Sequence, residues 1–268
     1  MFDEMSYRVA IGFMTGAAIV SISLLMQATG NPLLHNVVML LVFYTVLPYL
    51  ICSYYFNKNG IELPQILFFT GTSRWLLPVF GLALILMTFS ISNYWLMLRG
   101  LVSISPSSVQ LALTPQPSPD ELWYLAVTGF IIAVIAPIAE EFVFRGVILH
   151  WLIASSGLWK GIGLSSLIFS IFHINILGAF LFSLVASLLY LKTGTLLVPI
   201  LLHIFNNSLS IFQYSINPSF PEWLVVTSIN DLYTKTVPNL VALIISLVLL
   251  LVFINWLVRD LERSRSNL

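Results

Sequence analysis

The residues best suited to chemistry lie within residues 136–146, APIAEEFVFRG, where Glu140, Glu141 and Arg145 interrupt an otherwise apolar run. Glu141 and Arg145 are four apart and share a helical face, so an ion pair between them offsets part of the cost of burying either charge. Glu140 projects about 100° away and has no partner on its own helix. An unpartnered carboxylate in hydrocarbon must find a partner elsewhere or change its protonation state. Partners exist: FSIFH ends at His173, and HIFNN starts at His203 and carries Asn207 four residues later on the same face. A carboxylate in a low dielectric is a competent general base toward water, a histidine can hold the water or shuttle its proton, and an Asn amide can donate to a developing oxyanion. Hydrolysis is the simplest reaction that uses all three. The same side chains spell a second chemistry, in which Glu140, His173 and His203 form a two-histidine, one-carboxylate set for a divalent metal such as zinc, with water in the open position. The helical zinc signature HExxH is absent, so the sequence does not require a metal.

What must position these residues is a membrane bundle. The chain of 268 residues is 59% apolar and only 8% charged, against about 25% charged in an ordinary soluble domain. Apolar runs long enough to cross a bilayer fall near residues 9–27, 36–56, 75–97, 122–153, 161–175, 177–191, 195–215 and 239–258. The expected fold is therefore all-α: one polytopic membrane domain over residues 1–268 with about eight transmembrane helices and a motif-bearing core at 122–215. The fifth and sixth runs are short and separated by Asn175 and its neighbours, so two half-spans or a re-entrant pair remain an alternative. The fourth run, if straight, is roughly 48 Å long, and Pro137 within it predicts a kink just before the glutamates.

Lys and Arg concentrate in cytoplasmic loops. With eight spans, Arg8, Lys58, Arg74, Lys160, Lys192, Arg259, Arg263 and Arg265 fall on one side and only Arg99 and Lys235 on the other, which places both termini in the cytoplasm. Net charge is zero and the largest basic cluster is a few residues at the carboxyl end, so nucleic acid is not an expected partner. No cleavable signal peptide is evident, and the first apolar run is read as a span. Cys52, the single cysteine, reads as a small core hydrophobe. Residues 100–121, with four prolines, read as an extended outer linker; residues 216–238 form a second outer loop, and LPQILFF within residues 57–74 is placed at the cytoplasmic interface. His35 and His150 have no second polar group at helical spacing and are read as interfacial or incidental, and Asn206 points away from Asn207. Phe169 covers the face of His173, four residues on. Ala179, Ser183 and Ser187 recur every four residues, a spacing that lets helices approach closely and brings His173 and His203 together.

APIAEEFVFRG, FSIFH and KTGTLLVPILLHIFNN resemble the three signature motifs of the CPBP family, intramembrane proteases that include the CAAX prenyl endopeptidases and bacteriocin-processing or immunity proteins. The family patterns EExxxR, FxxxH and HxxxN are met by Glu140, Glu141 and Arg145, by Phe169 and His173, and by His203 and Asn207. The resemblance implies that Glu140 activates water held also by His173, that Glu141 and Arg145 are structural or support the transition state, and that His203 and Asn207 stabilise the oxyanion. It leaves metal-free and metal-dependent versions both open.

The expected activity is thus intramembrane peptide-bond hydrolysis on a peptide or membrane-anchored protein substrate, lipidated or not, in a bilayer that the short loops suggest is a bacterial plasma membrane. Two rivals belong to other classes: a non-catalytic scaffold or bacteriocin-immunity protein of the same family, and an ion-coupled transporter using the polar cluster as its path. Intact motifs speak against the first. The lack of two related halves speaks against the second.

Overall fold

A computed structural model of the chain describes residues 32–114, 121–216 and 219–266. All of its regular structure is helical. Among the described residues five helices are long and apolar enough to cross a membrane: α1 (Asn36–Asn59), α2 (Thr72–Leu101), α3 (Leu122–Ser156), α5 (Ile176–Thr193) and α7, whose apolar part is Thr236–Arg263. Between them lie α4 (Leu158–Ser170) and α6 (Leu197–Ile216). The expected span at 9–27 lies outside the described residues. The expected fifth span at 161–175 is not a full crossing: α4 has 13 residues, about 20 Å against a hydrocarbon core of about 30 Å. It ends in a turn through Asn175, from which α5 returns, so of the two short runs the first falls below a spanning length and the second reaches it, which is neither two full spans nor two half-spans.

The linker after α2 also departs from expectation. Pro106 opens an eight-residue helix, Pro106–Leu113, because proline's fixed φ and missing N–H suit a first helical turn. Its buried Val109 and Leu113 pack with Trp95, Leu98 and Val102 of the α2 end and with Leu232 of the segment before α7.

The core centres on α5, whose Val185, Ala186, Leu188 and Leu189 are buried among residues from α1, α2, α3, α4 and α6. Gly194 closes α5 in the left-handed conformation, φ 72°, which suits glycine at a helix end. The next residue pins α6 to the segment at 61–71: Thr195 Oγ1 accepts from Phe68 N and donates to Phe68 O, and Leu196 N donates to Ile66 O at 2.7 Å.

Proline shapes α1 and α3 in the same way. Each contains a π-helical turn, Val42–Val46 and Ile131–Ile135, ending two residues before Pro48 and Pro137. The expected disturbance before the glutamates thus takes the form of a π turn, which moves a carbonyl away from the proline ring. A second π turn, Phe144–Ile148, comes after the glutamates and contains Arg145.

The basic residues sort to the two ends of the bundle. Lys192 at the end of α5 pairs with Asp260 and lies over Trp256, which contacts Trp75 near the start of α2. At the opposite end Arg99 lies over Tyr233, and Lys235 pairs with Asp231.

Candidate active site

The sequence candidates come from four elements. Glu140, Glu141 and Arg145 lie in the lower part of α3, between and within its π turns; Phe169 ends α4 and His173 lies in the turn after it; His203 and Asn207 lie on α6. Glu141 and Arg145 are fully buried and His203 is 4% exposed. The ion pair expected from spacing is formed, Arg145 Nη1 to Glu141 Oε1 at 2.9 Å. The same oxygen receives His203 Nδ1 at 2.8 Å. A carboxylate only accepts, so Nδ1 carries the proton, and Nε2 is left as the nitrogen facing outward from this pair. It lies 3.8 Å from Glu140 Oε2, too far for a hydrogen bond. That Glu140 oxygen has no hydrogen-bond partner among the described residues. His203 therefore stands between the two glutamates, fixed by one and facing the other.

Spacing alone did not show how Arg145 is held. Its Nη2 donates to the backbone oxygen of Ser183 at 3.2 Å and to its hydroxyl at 3.1 Å. Ser183 belongs to the small-residue stripe read as packing, and here it also receives the buried cation. Phe169 and Phe182 flank the guanidinium, with its carbon 5.0 and 6.0 Å from their ring centres. Phe182 also packs on His203 at 4.6 Å. The signal for both residues was present only as their position on α5, within or beside the stripe.

His173 joins the cluster through Phe169. Their rings stack at 4.4 Å with an interplanar angle of 24°, and His173 Nδ1 lies 2.9 Å from Phe169 O. Phe169 in turn lies 6.0 Å from the His203 ring. His173 and His203 thus both pack against one phenylalanine.

Asn207 has a task that arises from the covalent chemistry of proline. Ala136 N–H reaches back five residues to Ile131 O, and Pro137 has no N–H, so the Ile132 carbonyl has lost both of its helical donors. Asn207 Nδ2 donates to it at 3.0 Å. One amide N–H of Asn207 is therefore committed to the backbone, and the other remains.

The metal reading fares differently. Glu140, His173 and His203 are not drawn into one coordination sphere: among the described residues no three His, Cys, Asp or Glu side chains are gathered closely enough to hold a metal ion. The donor arrangement does not fit the two-histidine, one-carboxylate set. His150, read as incidental, has a partner on another helix, Tyr190 Oη at 2.8 Å, in a buried contact apart from the motif residues. The side chain of His35 lies outside the described residues.

A family model described as Rce1-like, type II CAAX prenyl endopeptidase Rce1-like, matches residues 122–209. The resemblance carried by the three motifs is borne out over this segment, about a third of the chain, which contains Glu140, Glu141, Arg145, Phe169, His173, His203 and Asn207. No curated protein and no solved structure matches the chain.

Proposed function

We propose, from a premise of kinship with the Rce1-like CAAX prenyl endopeptidases over residues 122–209, that this protein is a multi-pass intramembrane endopeptidase in which Glu140 activates water. The observation that carries the reading is the Glu140 carboxylate itself: 19% exposed, without a hydrogen bond on Oε2 among the described residues, and facing an imidazole whose orientation a buried Glu141–Arg145 pair fixes. A water at about 2.8 Å from both Glu140 Oε2 and His203 Nε2 would see them, 3.8 Å apart, at an angle of about 85°. That is the place for the nucleophile.

In the reaction, Glu140 takes a proton from water as the oxygen attacks the scissile carbonyl, and returns it to the leaving amine as the C–N bond breaks. His173 orients the water from the turn after α4. His203 Nε2 accepts from the same water, and the uncommitted N–H of Asn207 donates to the carbonyl oxygen as it gains charge. Glu141 and Arg145 hold His203 and do not touch substrate. The substrate is a peptide or membrane-anchored protein segment that enters in extended form. The excess of Lys58, Arg74, Lys160, Lys192, Arg259 and Arg263 at one end of the bundle over Arg99 and Lys235 at the other supports cytoplasmic termini and a site open mainly to the cytoplasmic half of the membrane, which we take to be a bacterial plasma membrane.

The test is cleavage of a quenched-fluorescent peptide library, free and lipidated, by the detergent-purified protein with and without a strong chelator. Glu140→Gln is expected to lower turnover by about 10²–10⁴-fold, with chelator changing nothing. Equal cleavage by wild type and a folded Glu140→Gln protein would overturn the assignment.

A further inference from the structure

His173 occupies a place that needs an explanation. The turn at 171–175 connects two helices, and its apolar residues do not tie it down: Ile171, Phe172 and Ile174 are 61%, 65% and 84% exposed. Among the described residues His173 is bonded only to α4, by its backbone N–H to Ser170 O at 3.0 Å and by its ring to Phe169 O. What fixes the far end of the turn is Asn175. Its Oδ1 accepts from Gly178 N at 3.0 Å, capping α5, and its Nδ2 donates to Ser90 O of α2 at 2.9 Å. Oδ1 also accepts from Asn93 Nδ2 at 2.6 Å. The carboxamide of Asn175 is thus engaged at both ends, and two of its three bonds go to α2.

The approach is close. A Cβ added at Gly178 would lie 2.8 Å from Asn175 Nδ2 and 2.9 Å from Ser90 Oγ, so only glycine admits this junction. Asn93 is 7% exposed within an apolar helix, where an amide costs stability unless it is bonded. A cap on α5 needs Asn175 and Gly178 alone. Asn93 adds nothing to the cap itself; it orients the carboxamide and ties the turn to a helix outside the family-matched segment.

We propose that Asn93 is a positioning residue for His173, holding the turn at 171–175 against α2 so that the imidazole keeps its place on Phe169. The proposal rests on the reading of His173 as the water-orienting residue. Its physical basis is that a displacement on the order of 1 Å at an orienting group costs about 10²-fold in rate.

The test uses Asn93→Leu, which keeps the branched shape and heavy-atom count of the side chain and removes the donor, in the full-length detergent-purified protein. The expected result is a fall in kcat of about 10²-fold with KM unchanged, and no further fall when Asn93→Leu is added to His173→Ala, because the misplaced group is already gone. A loss of the same size in both backgrounds, or none in either, would overturn the proposal. An arm independent of turnover uses histidine-labelled protein and NMR, with the His173 signal assigned by its disappearance in His173→Ala. In Asn93→Leu that signal shifts or broadens while the His203 signal stays. An unmoved His173 signal would sink the positioning role even if the protein proved inert on every peptide. A moved signal in an inert protein would uphold the tether while removing the protease reading.

Discussion

Removing the Glu141 carboxylate should damage the fold far more than removing its neighbour Glu140. Glu141 Oε1 is shared by Arg145 and His203, at 2.9 and 2.8 Å, and all three groups are buried. Glu141→Ala leaves a guanidinium with only the Ser183 acceptors and an imidazole N–H with none on Glu141. Taking one partner from a buried pair costs about 3–5 kcal/mol, because the other charge stays behind uncompensated. Glu140, 19% exposed and 3.8 Å from His203 Nε2, stands to lose at most about 1 kcal/mol. At about 2–4 °C per kcal/mol the two variants differ in thermal midpoint by on the order of 10 °C. The assay is heating of the detergent-purified variants followed by size-exclusion recovery. A second arm is Glu141→Gln with Arg145→Met, which keeps an acceptor for His203 Nδ1 and removes the stranded cation, and should recover most of the loss. Equal midpoints for Glu140→Ala and Glu141→Ala, or a double variant no better than Glu141→Ala, would refute the buried-pair reasoning.

Other outcomes rest on particular contacts. Asn207→Ala leaves the Ile132 carbonyl without a donor and should cost about 1–3 kcal/mol, less when Pro137→Ala restores a backbone N–H; a thermal double-mutant cycle reads the difference, and strict additivity would contradict the carbonyl-capping role. Gly161→Ala should destabilise by about 1–3 kcal/mol, since its Cβ would lie 2.7 Å from Ile153 N, whereas Gly163→Ala, with open space around it, should be neutral in the same thermal assay. In the segment before α7, burial pushes the Asp231 carboxyl up, but hydrogen bonds from Thr227 N–H, Lys235 and the Thr227 hydroxyl outweigh it and hold the group below its ordinary value. A depressed carboxyl stabilises above its unfolded value of about 3.9 and loses that contribution as pH falls through the folded value. Thermal midpoints taken from about pH 6 down to about pH 3 should therefore drop more for wild type than for Asp231→Asn, and parallel curves would contradict the role of these bonds.

The sequence by itself determined the medium, the long helices and the chemistry on offer. Length and apolarity of 36–56, 75–97, 122–153 and 239–258 were enough, because a bilayer imposes one length on any helix that crosses it. The Glu141–Arg145 pair was legible for a similar reason: it is a contact within one helix at i and i+4, which the backbone geometry sets without help from the fold. Contacts between helices were not legible in this way. Which glutamate His203 would bond, the use of Ser183 as an acceptor, the donation from Asn207 to Ile132, and the tether from Asn93 to Asn175 all depend on the depth and rotation of one helix against another. The π turns at 131–135 and 144–148 add to this, since each rotates the downstream residues of its helix, so faces counted at 100° per residue drift along α3. The same dependence undid the metal triad: two histidines and a glutamate were on offer, but coordination needs them at one point in space, and among the described residues no three such side chains are gathered closely enough. Residue types and local spacing belong to the chain, whereas convergence belongs to the packed bundle, because only packing sets how far each helix is turned and how deep it sits.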